Sequence, residues 1–465
     1  MIAQTRNRLF GLFGRYIAGE SSNQRRDPGT QIKSSDAILD TTKRRRVIEG
    51  ARDLWRNYSV AAWAVRKHLD FVSTFTFQSS IPDPAFNAEL ESLMRWYSRS
   101  LNCDHSGRHS FRKMIRLAET RRVLDGDVFF VKYASGKLQA IEGDRVRDPS
   151  SKANGERWVH GCKIGNNGQL QRAAIWKRNL DGSYTEEGSV SAGNVIQFGY
   201  FDSFDQYRGV SPVVSSIPEF QDCLEVKDYA RAKAKITQLF ALAITREMAD
   251  QDDEEEAGGY TIDLGKGPVK VELDPGDKME FLESKHPSTE FQAFLTMCLQ
   301  SALKALDIPW SFYDEAYTNF FGSRSALLLY LKSVEDKRAD LQEMLDRITV
   351  WKILQWVAQG YLSLPSGYGI EDLRWDWIPS GLPWWDASKE IDGDIKAIQS
   401  KLRTRSEIRR ERYGDDWKDV VRKLREEEDF LQENGFDDSE MATITHGSGV
   451  PPEQQETNGE ESSDE

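Results

Sequence analysis

The stretch that most constrains the fold runs from His286 to about Gly360. There a helical pattern, a short aperiodic segment and a much longer helical pattern follow one another. Phe291, Phe294, Leu295, Cys298, Ala302, Leu303 and Leu306 recur at spacings of three and four, which is one apolar stripe on a helix of period 3.6. Ile308-Pro309 ends that helix, because proline lacks an amide donor and pushes its predecessor out of the helical region. Ser323 offers an N-cap for the next helix. In it Leu327, Leu331, Val334, Leu341, Leu345 and Ile348 return to one side, and Gly360 offers a C-terminal cap. At 1.5 Å per residue this helix is about 55 Å long. That outruns one small core, so Leu327, Leu331, Leu341, Leu345 and Ile348 are expected to pack on neighbouring copies as well as on their own chain.

Between the two helices, residues 308–323 carry Trp310, Phe312, Tyr313, Tyr317, Phe320 and Phe321, with acids at Asp314 and Glu315 and no Lys or Arg before Arg324. Helix–helix connections in bundles usually run about 2–8 residues, so this one is long for its place. The plain reading is a connection whose aromatics fill the core. The sharper one is an exposed loop whose bulk narrows an opening and whose acids repel phosphate.

Upstream, residues 1–45 form a basic arm ending in Lys43-Arg-Arg-Arg46, solvated or in contact with phosphates. Helices are expected over 47–71, 86–100 and 110–124. In the first, Ala51, Leu54, Tyr58, Ala62, Val65 and Leu69 share a face. Asp125-Gly126 then breaks to a β-rich run at 128–133, with further strands at 138–142, 157–164, 170–178 and 195–201. A small antiparallel sheet on helices makes this an α+β unit. Ser211 is a good N-cap and Pro212 fits a first helical position; Pro218 predicts a kink or restart, after which a helix runs to about Arg246. An acidic loop at 250–256 leads to strand-like runs at 260–264, 269–273 and 278–282. Beyond Gly360 come Trp375-Asp-Trp377 and Trp384-Trp385, then helices near 387–401 and 415–432. The 13 tryptophans are expected to serve packing, since aromatics bring large buried area.

The net charge of −13 hides an asymmetry. From Glu426 to Glu465 there are fourteen Asp or Glu and no Lys or Arg, leaving residues 1–425 near +1. Residues 433–465 read as a disordered acidic tail. Four scattered cysteines give no disulfide framework, and neither a signal peptide nor a membrane span is expected. No phosphate-binding loop, dinucleotide fingerprint, nucleophile elbow or His-Glu-x-x-His motif occurs, so neither enzyme activity nor a cofactor is expected. Cys103, His105, His109, His160 and Cys162 could supply zinc ligands, but their spacing fits no compact zinc module and burial as small apolar residues is favoured for the cysteines. Asp125 and Asp127 flank a turn and are read as local hydrogen-bonding groups rather than a metal pair.

Several stretches, in order, resemble the lambda-type family of bacteriophage portal proteins. They are Ala51-Arg-Asp-Leu54 with Arg56-Asn57, Asp125-Gly-Asp127, Ile141-Glu-Gly-Asp-Arg-Val146, His160-Gly161, Tyr207-Arg208-Gly209-Val210, Leu273-Asp-Pro275-Gly276, Pro287 to Phe294, Ile308-Pro309 and Asn319 to Ala326. Phe320-Phe321-Gly322-Ser323 stands where the family has Tyr-Ser-Ser, and Ala387 where it has proline. The resemblance implies an α+β subunit with a wing over 46–211, stem helices at 212–246 and 285–307 and a β-containing clip at 247–284. A channel loop at 308–323, the long helix 324–360 and a C-terminal wing or crown region at 361–432 would follow. It also implies a ring of twelve copies around double-stranded DNA that passes without sequence specificity. Terminase would dock on the clip, near Leu264, Lys266, Val269 and Lys270; capsid, scaffold and head-completion or neck proteins would be further partners. Such a protein is assembled in the host cytoplasm and ends in the virion, and ATP hydrolysis belongs to the terminase. A DNA-processing nuclease and a monomeric adaptor are the rival readings; the first would need clustered carboxylates at metal spacing, the second would show no ring.

Overall fold

The computed structural model describes residues 32–239, 242–246, 277–281, 289–314, 320–381 and 387–435. Helices and strands are both present, and the fold is α+β. The chain divides into two compact units, one of residues 1–67 and 117–313, the other of 68–116 and 314–465.

The first unit opens with the short helix α1 (Ser35–Ile38) and α2 (Thr41–Asn57), whose start is capped by the Asp40 carboxylate on the amides of Thr42 and Lys43. Tyr58 leaves the helical region (φ −117°, ψ 110°), so the helix expected over 47–71 is two, α2 and α3 (Ser59–Val72). The apolar face nevertheless runs through the break: Ala51, Leu54, Tyr58, Ala62, Val65 and Leu69 are all buried. β1 (Phe75–Ser79), α4 (Pro84–Tyr97) and α5 (Ser100–Cys103) belong to the second unit, and α6 (Phe111–Asp125) leads the chain back into the first, where the strand β2 (Asp127–Lys132) pairs antiparallel with β3 (Leu138–Glu142). β4 (Trp158–Val159), β5 (Cys162–Ile164), β6 (Leu170–Arg178) and β7 (Tyr184–Ser191) form a four-stranded antiparallel sheet. β8 (Val195–Gly199) returns to flank β2. Of these, β7 lies where no strand was expected; Gly188 interrupts its alternation and the register shifts beside it. Phe129 and Val131 of β2 share a core with Ile141, Cys162, Ile164, Ala173, Ile175 and Val195, so the two sheets close on one apolar interior.

Ser211 accepts from the Val213 amide and Pro212 opens a 3-10 turn at Pro212–Ser216, after which α7 (Ile217–Leu239) restarts with Pro218 in its first turn. The expected continuation to Arg246 fails. β9 (Leu242–Arg246) is a strand, paired antiparallel with β10 (Asp277–Phe281). The expected strands at 260–264 and 269–273 lie outside the described residues. α8 (Thr289–Leu303) packs back on α7 and α2: Phe220 and Cys223 of α7 share a cluster with Leu54, Tyr58 and Ala302, flanked by Leu295, Cys298 and Leu299. Because Phe220 starts α7 and Ala302 ends α8, the two helices run antiparallel.

The second unit is built on α9 (Phe320–Gln359), a helix of 40 residues, about 60 Å long at 1.5 Å per residue. Ser323 is therefore inside its first turn rather than at its cap, while Gly360, at φ +75°, ends it as expected. β11 (Trp375–Pro379) pairs with β1, setting Phe77 opposite Trp377. Trp377 is tied to α9 by its indole N–H to Thr349 Oγ1 (3.1 Å) and by its carbonyl, which accepts from Gln342. Its ring also meets Phe77 and Phe111, and Tyr97 meets Phe111 and Trp356. Three helices follow where two were expected: α10 (Ala387–Gln399), α11 (Arg405–Tyr413) and α12 (Trp417–Glu433). α11 carries a Thr404/Glu407 capping box and stops at Gly414 (φ +68°). Among the described residues no helix is long and apolar enough to cross a membrane.

Candidate functional site

The densest polar arrangement lies where the Asp125-Gly-Asp127 turn meets Tyr207-Arg208-Gly209. Gly126 has φ +94°, and a Cβ there would stand 2.5 Å from the Gly209 carbonyl; one on Gly209 would stand 2.1 Å from the Gly126 carbonyl. Two glycines thus let the backbones touch, and their neighbours' charges are driven together. Asp127 is fully buried and accepts from Arg208 through Nε (2.6 Å) and Nη2 (2.9 Å) and from the Gly209 amide (3.0 Å), with Arg44 Nη2 at 3.4 Å. Arg208, also buried, donates to the carbonyls of Val146 (3.0 Å), Gly143 (2.7 Å) and His160. Burial works against the Asp127 charge, yet Arg208 and Arg44 outweigh it and hold its carboxyl below the usual range. For Arg44, burial and then the like charge of Arg208 lower the guanidinium to about 10. Asp36 completes the junction by accepting from the Tyr207 amide (2.6 Å), which fastens α1 to the same loop.

A second cluster lies beside it. Arg52 donates to Asp125 through Nε (2.7 Å) and Nη2 (2.5 Å), and its Nη2 also reaches Asp144 (2.7 Å) and Glu142 (3.1 Å). Arg178 and the Tyr184 hydroxyl donate to Asp144, and Arg121 lies 3.3 Å from Glu142. Burial raises Asp144's tendency to hold a proton, but Arg52, Tyr184 and Arg178 bring it down to about 2. Asp125, Glu142 and Asp144 have ligand atoms within 4.8 Å of one another, close enough for a metal. Three guanidiniums already neutralise them, so the chemistry of this donor set is that of an ion-pair network. A third pair, Glu119 and Arg122, is wholly buried (Nε–Oε2 2.8 Å), with Arg122 stacked over Tyr200 and Phe198.

These groups were the ones least visible beforehand. The sequence reads Asp125 and Asp127 as local hydrogen-bonding groups; their carboxylates instead accept from distant donors, Asp125 from Arg52 and Asp127 from Arg208 and the Gly209 amide. Both arginines sit inside the quoted motif stretches, so the signal was present, but nothing local names their partners 73 and 81 residues away. The cysteines and histidines do not assemble: among the described residues their ligand atoms form no metal-sized group. Cys103 lies against the carbonyl of His109, the His160 ring meets the Asp36 carbonyl at 3.0 Å, and burial pushes the Cys162 thiol up to about 12.

Of the expected loop residues, Trp310 and Phe312 are half-buried in a 3-10 turn, and Tyr313 contacts Trp310 (4.9 Å) and Trp63 (5.6 Å) edge-on or tilted. Asp314 is half-buried. Glu315 and Tyr317 lie outside the described residues, and Phe320 and Phe321 open α9. Leu264, Lys266, Val269 and Lys270 also lie outside them. On α9, Leu341, Leu345 and Ile348 are buried inside this chain, which removes them from the set a neighbouring copy could touch. Leu327 and Leu331 are half-buried, and among the described residues of the helix the large apolar side chains of Leu328, Leu329 and Leu354 are exposed.

The profile of the family described as "Phage portal protein, lambda family" matches residues 22–338. A relative described as "Probable portal protein", from Halomonas phage phiHAP-1, is 23% identical over 373 residues, covering 73% of this chain and 69% of its own. Among solved structures, a chain from the neck of an empty GTA particle computed with C6 symmetry superposes with a TM-score of 0.49 at 12% identity, over 77% of this chain and 92% of that one. An HK97-family phage portal protein from Corynebacterium diphtheriae gives 0.29 at 12% identity, over 60% and 87%.

Proposed function

Because the chain belongs to the lambda family of phage portal proteins, we propose that it is the subunit of a portal vertex: a ring, of twelve copies, around a channel for double-stranded DNA. The family match over residues 22–338 carries this reading. In it the protein is structural, part of the virion after assembly in the host cytoplasm, and the ATPase is the terminase that docks on it. Capsid or scaffold and the head-completion or neck proteins are its other partners.

The elements divide among the parts of such a subunit. Residues 46–211, with the two sheets and the ion-pair junction, act as the wing. The antiparallel helices α7 and α8 act as the stem, and the β9–β10 pair closes the base of the clip, which starts at Leu242, inside the stretch expected to be helix. Leu264, Lys266, Val269 and Lys270 remain the proposed terminase contacts. Residues 308–323 are the proposed channel segment, and its Trp310–Tyr313 turn packs on Trp63 through Tyr313. A body near neutrality suits such a channel, since a strongly basic lining would hold phosphates.

Negative-stain microscopy of the purified chain tests the ring, and monomers at all concentrations would refute it. In vitro packaging tests the channel segment. Asp314→Lys with Glu315→Lys is expected to spare rings but make packaging slower and more salt-sensitive. Unchanged packaging and retention would return the segment to an ordinary connection.

A further inference from the structure

Two of the free cysteines meet where the antiparallel helices α7 and α8 pack together. Cys223 of α7 is buried in the cluster with Leu54, Tyr58, Phe220 and Ala302; Cys298 of α8 packs against that cluster and is half-buried. Helix geometry puts the two at one level. Phe220 and Ala302 line a common cavity, one from each helix. From there Cys223 lies three residues on along α7 and Cys298 four residues back along α8, so each stays on the face of its reference residue. Because the helices run antiparallel, both steps rise the same way, by about 4.5 and 6 Å at 1.5 Å per residue. Burial, and after it the neighbouring Cys298, push the Cys223 thiol up to about 11. For packing alone a small apolar side chain would serve at either place. Two thiols facing each other add a chemistry.

We propose that Cys223 and Cys298 are a redox-modification site: a dithiol in a reducing compartment, and in an oxidising one an intrachain disulfide that fastens α7 to α8. The oxidant is a small disulfide of the glutathione class. Cys298, the more exposed of the two, attacks it as the thiolate; a bond forms between Cys298 and one glutathione sulfur, and the other glutathione leaves as a thiolate that takes up a proton. Cys223, its proton given to solvent, then attacks the Cys298 sulfur and expels the second glutathione. Two protein thiols are oxidised to one disulfide, and one small disulfide is reduced to two thiols. The new bond joins positions 75 apart in the sequence, a separation that hides the pair from any local spacing rule. It closes a long loop, which constrains the unfolded chain, and it stops the two helices from sliding along each other. The inference goes beyond the portal reading and does not depend on it, since both helices belong to one chain.

The test uses the full chain in two samples. One is lysed directly into denaturant with N-ethylmaleimide; the other is purified reduced, incubated with oxidised glutathione and then alkylated in the same way. Both are digested and weighed. The first is expected to show Cys223 and Cys298 alkylated. The second should show a peptide pair joined through Cys223 and Cys298, two hydrogens lighter than its parts and separated by dithiothreitol. Cys103 and Cys162 are buried and are expected to remain thiols. Cys223→Ala should leave Cys298 carrying glutathione, and Cys298→Ser should leave Cys223 a thiol. Hydrogen exchange of α7 and α8 in the native chain should slow several-fold on oxidation and recover on reduction, with no such change in Cys298→Ser. A native chain that ends as a glutathione adduct at Cys298, or as dimers linked through Cys298, would overturn the pairing. A bond already present in the first sample would overturn the dithiol state, and a bond without slower exchange would overturn the fastening.

Discussion

Replacing Arg208 by methionine removes the cation at the centre of the wing junction while keeping most of its volume. Asp127 would keep the Gly209 amide and the more distant Arg44, but would lose both bonds of the Arg208 fork; the carbonyls of Val146, Gly143 and His160 would lose their donor. Breaking a buried pair from one side typically costs about 3–5 kcal/mol, because an uncompensated charge stays buried. With a urea slope of roughly 2–3 kcal/mol per molar, the midpoint of the first unit should fall by about 1–2 M. The pH dependence has a definite sign. The folded Asp127 carboxyl lies below its unfolded value near 4, so its contribution is present above that pH and is lost as pH falls through the folded pKa. The native protein should therefore lose stability below about pH 4, and Arg208→Met should lose less over the same range. Urea titration followed by hydrogen exchange of the β2 strand reads both quantities for this unit alone. An unfolding free energy within about 0.5 kcal/mol of the native value, or a double Asp127→Asn/Arg208→Met variant whose effects simply add, would show that the pair carries no coupling and refute the reasoning.

Gly126→Ala should destabilise the same unit by more than about 2 kcal/mol, through its left-handed φ and the 2.5 Å approach to the Gly209 carbonyl; chemical denaturation checks it. On the long helix the two kinds of leucine should separate cleanly. Leu345→Asp buries a charge and should melt the second unit even as a monomer, whereas Leu329→Asp, at an exposed position, should leave the melting curve unchanged and reduce rings in microscopy. Removing residues 436–465, beyond α12, should leave sedimentation as a ring, since that segment has too few apolar residues to offset the entropy of ordering.

Local pattern alone determined much of the architecture. β6 occupies 170–178 as read, because alternation and flanking turns mark both of its ends; Ser211 and Pro212 start their turn because capping is a matter of adjacent residues. The long helix was legible from its uninterrupted period, and its glycine stop from the left-handed backbone that glycine permits. Tertiary structure decided what a period cannot say, which is where a face goes. The stripe at Leu341, Leu345 and Ile348 is the same whether a neighbouring copy or this chain's own residues cover it, and it is this chain that covers it. β1 and β11 pair from opposite ends of the sequence, and no local signal selects a partner at that distance. At Leu242 the helical stripe of α7 runs on into Ala-Leu-Ala-Ile, yet the chain turns to strand. Ile244 and Thr245 also suit an extended backbone, and pairing with 277–281 tips the balance. The arginine junction follows the same logic. Asp127 and Arg208 were each visible as residues, but a buried charge has meaning only through the partner that folding brings to it.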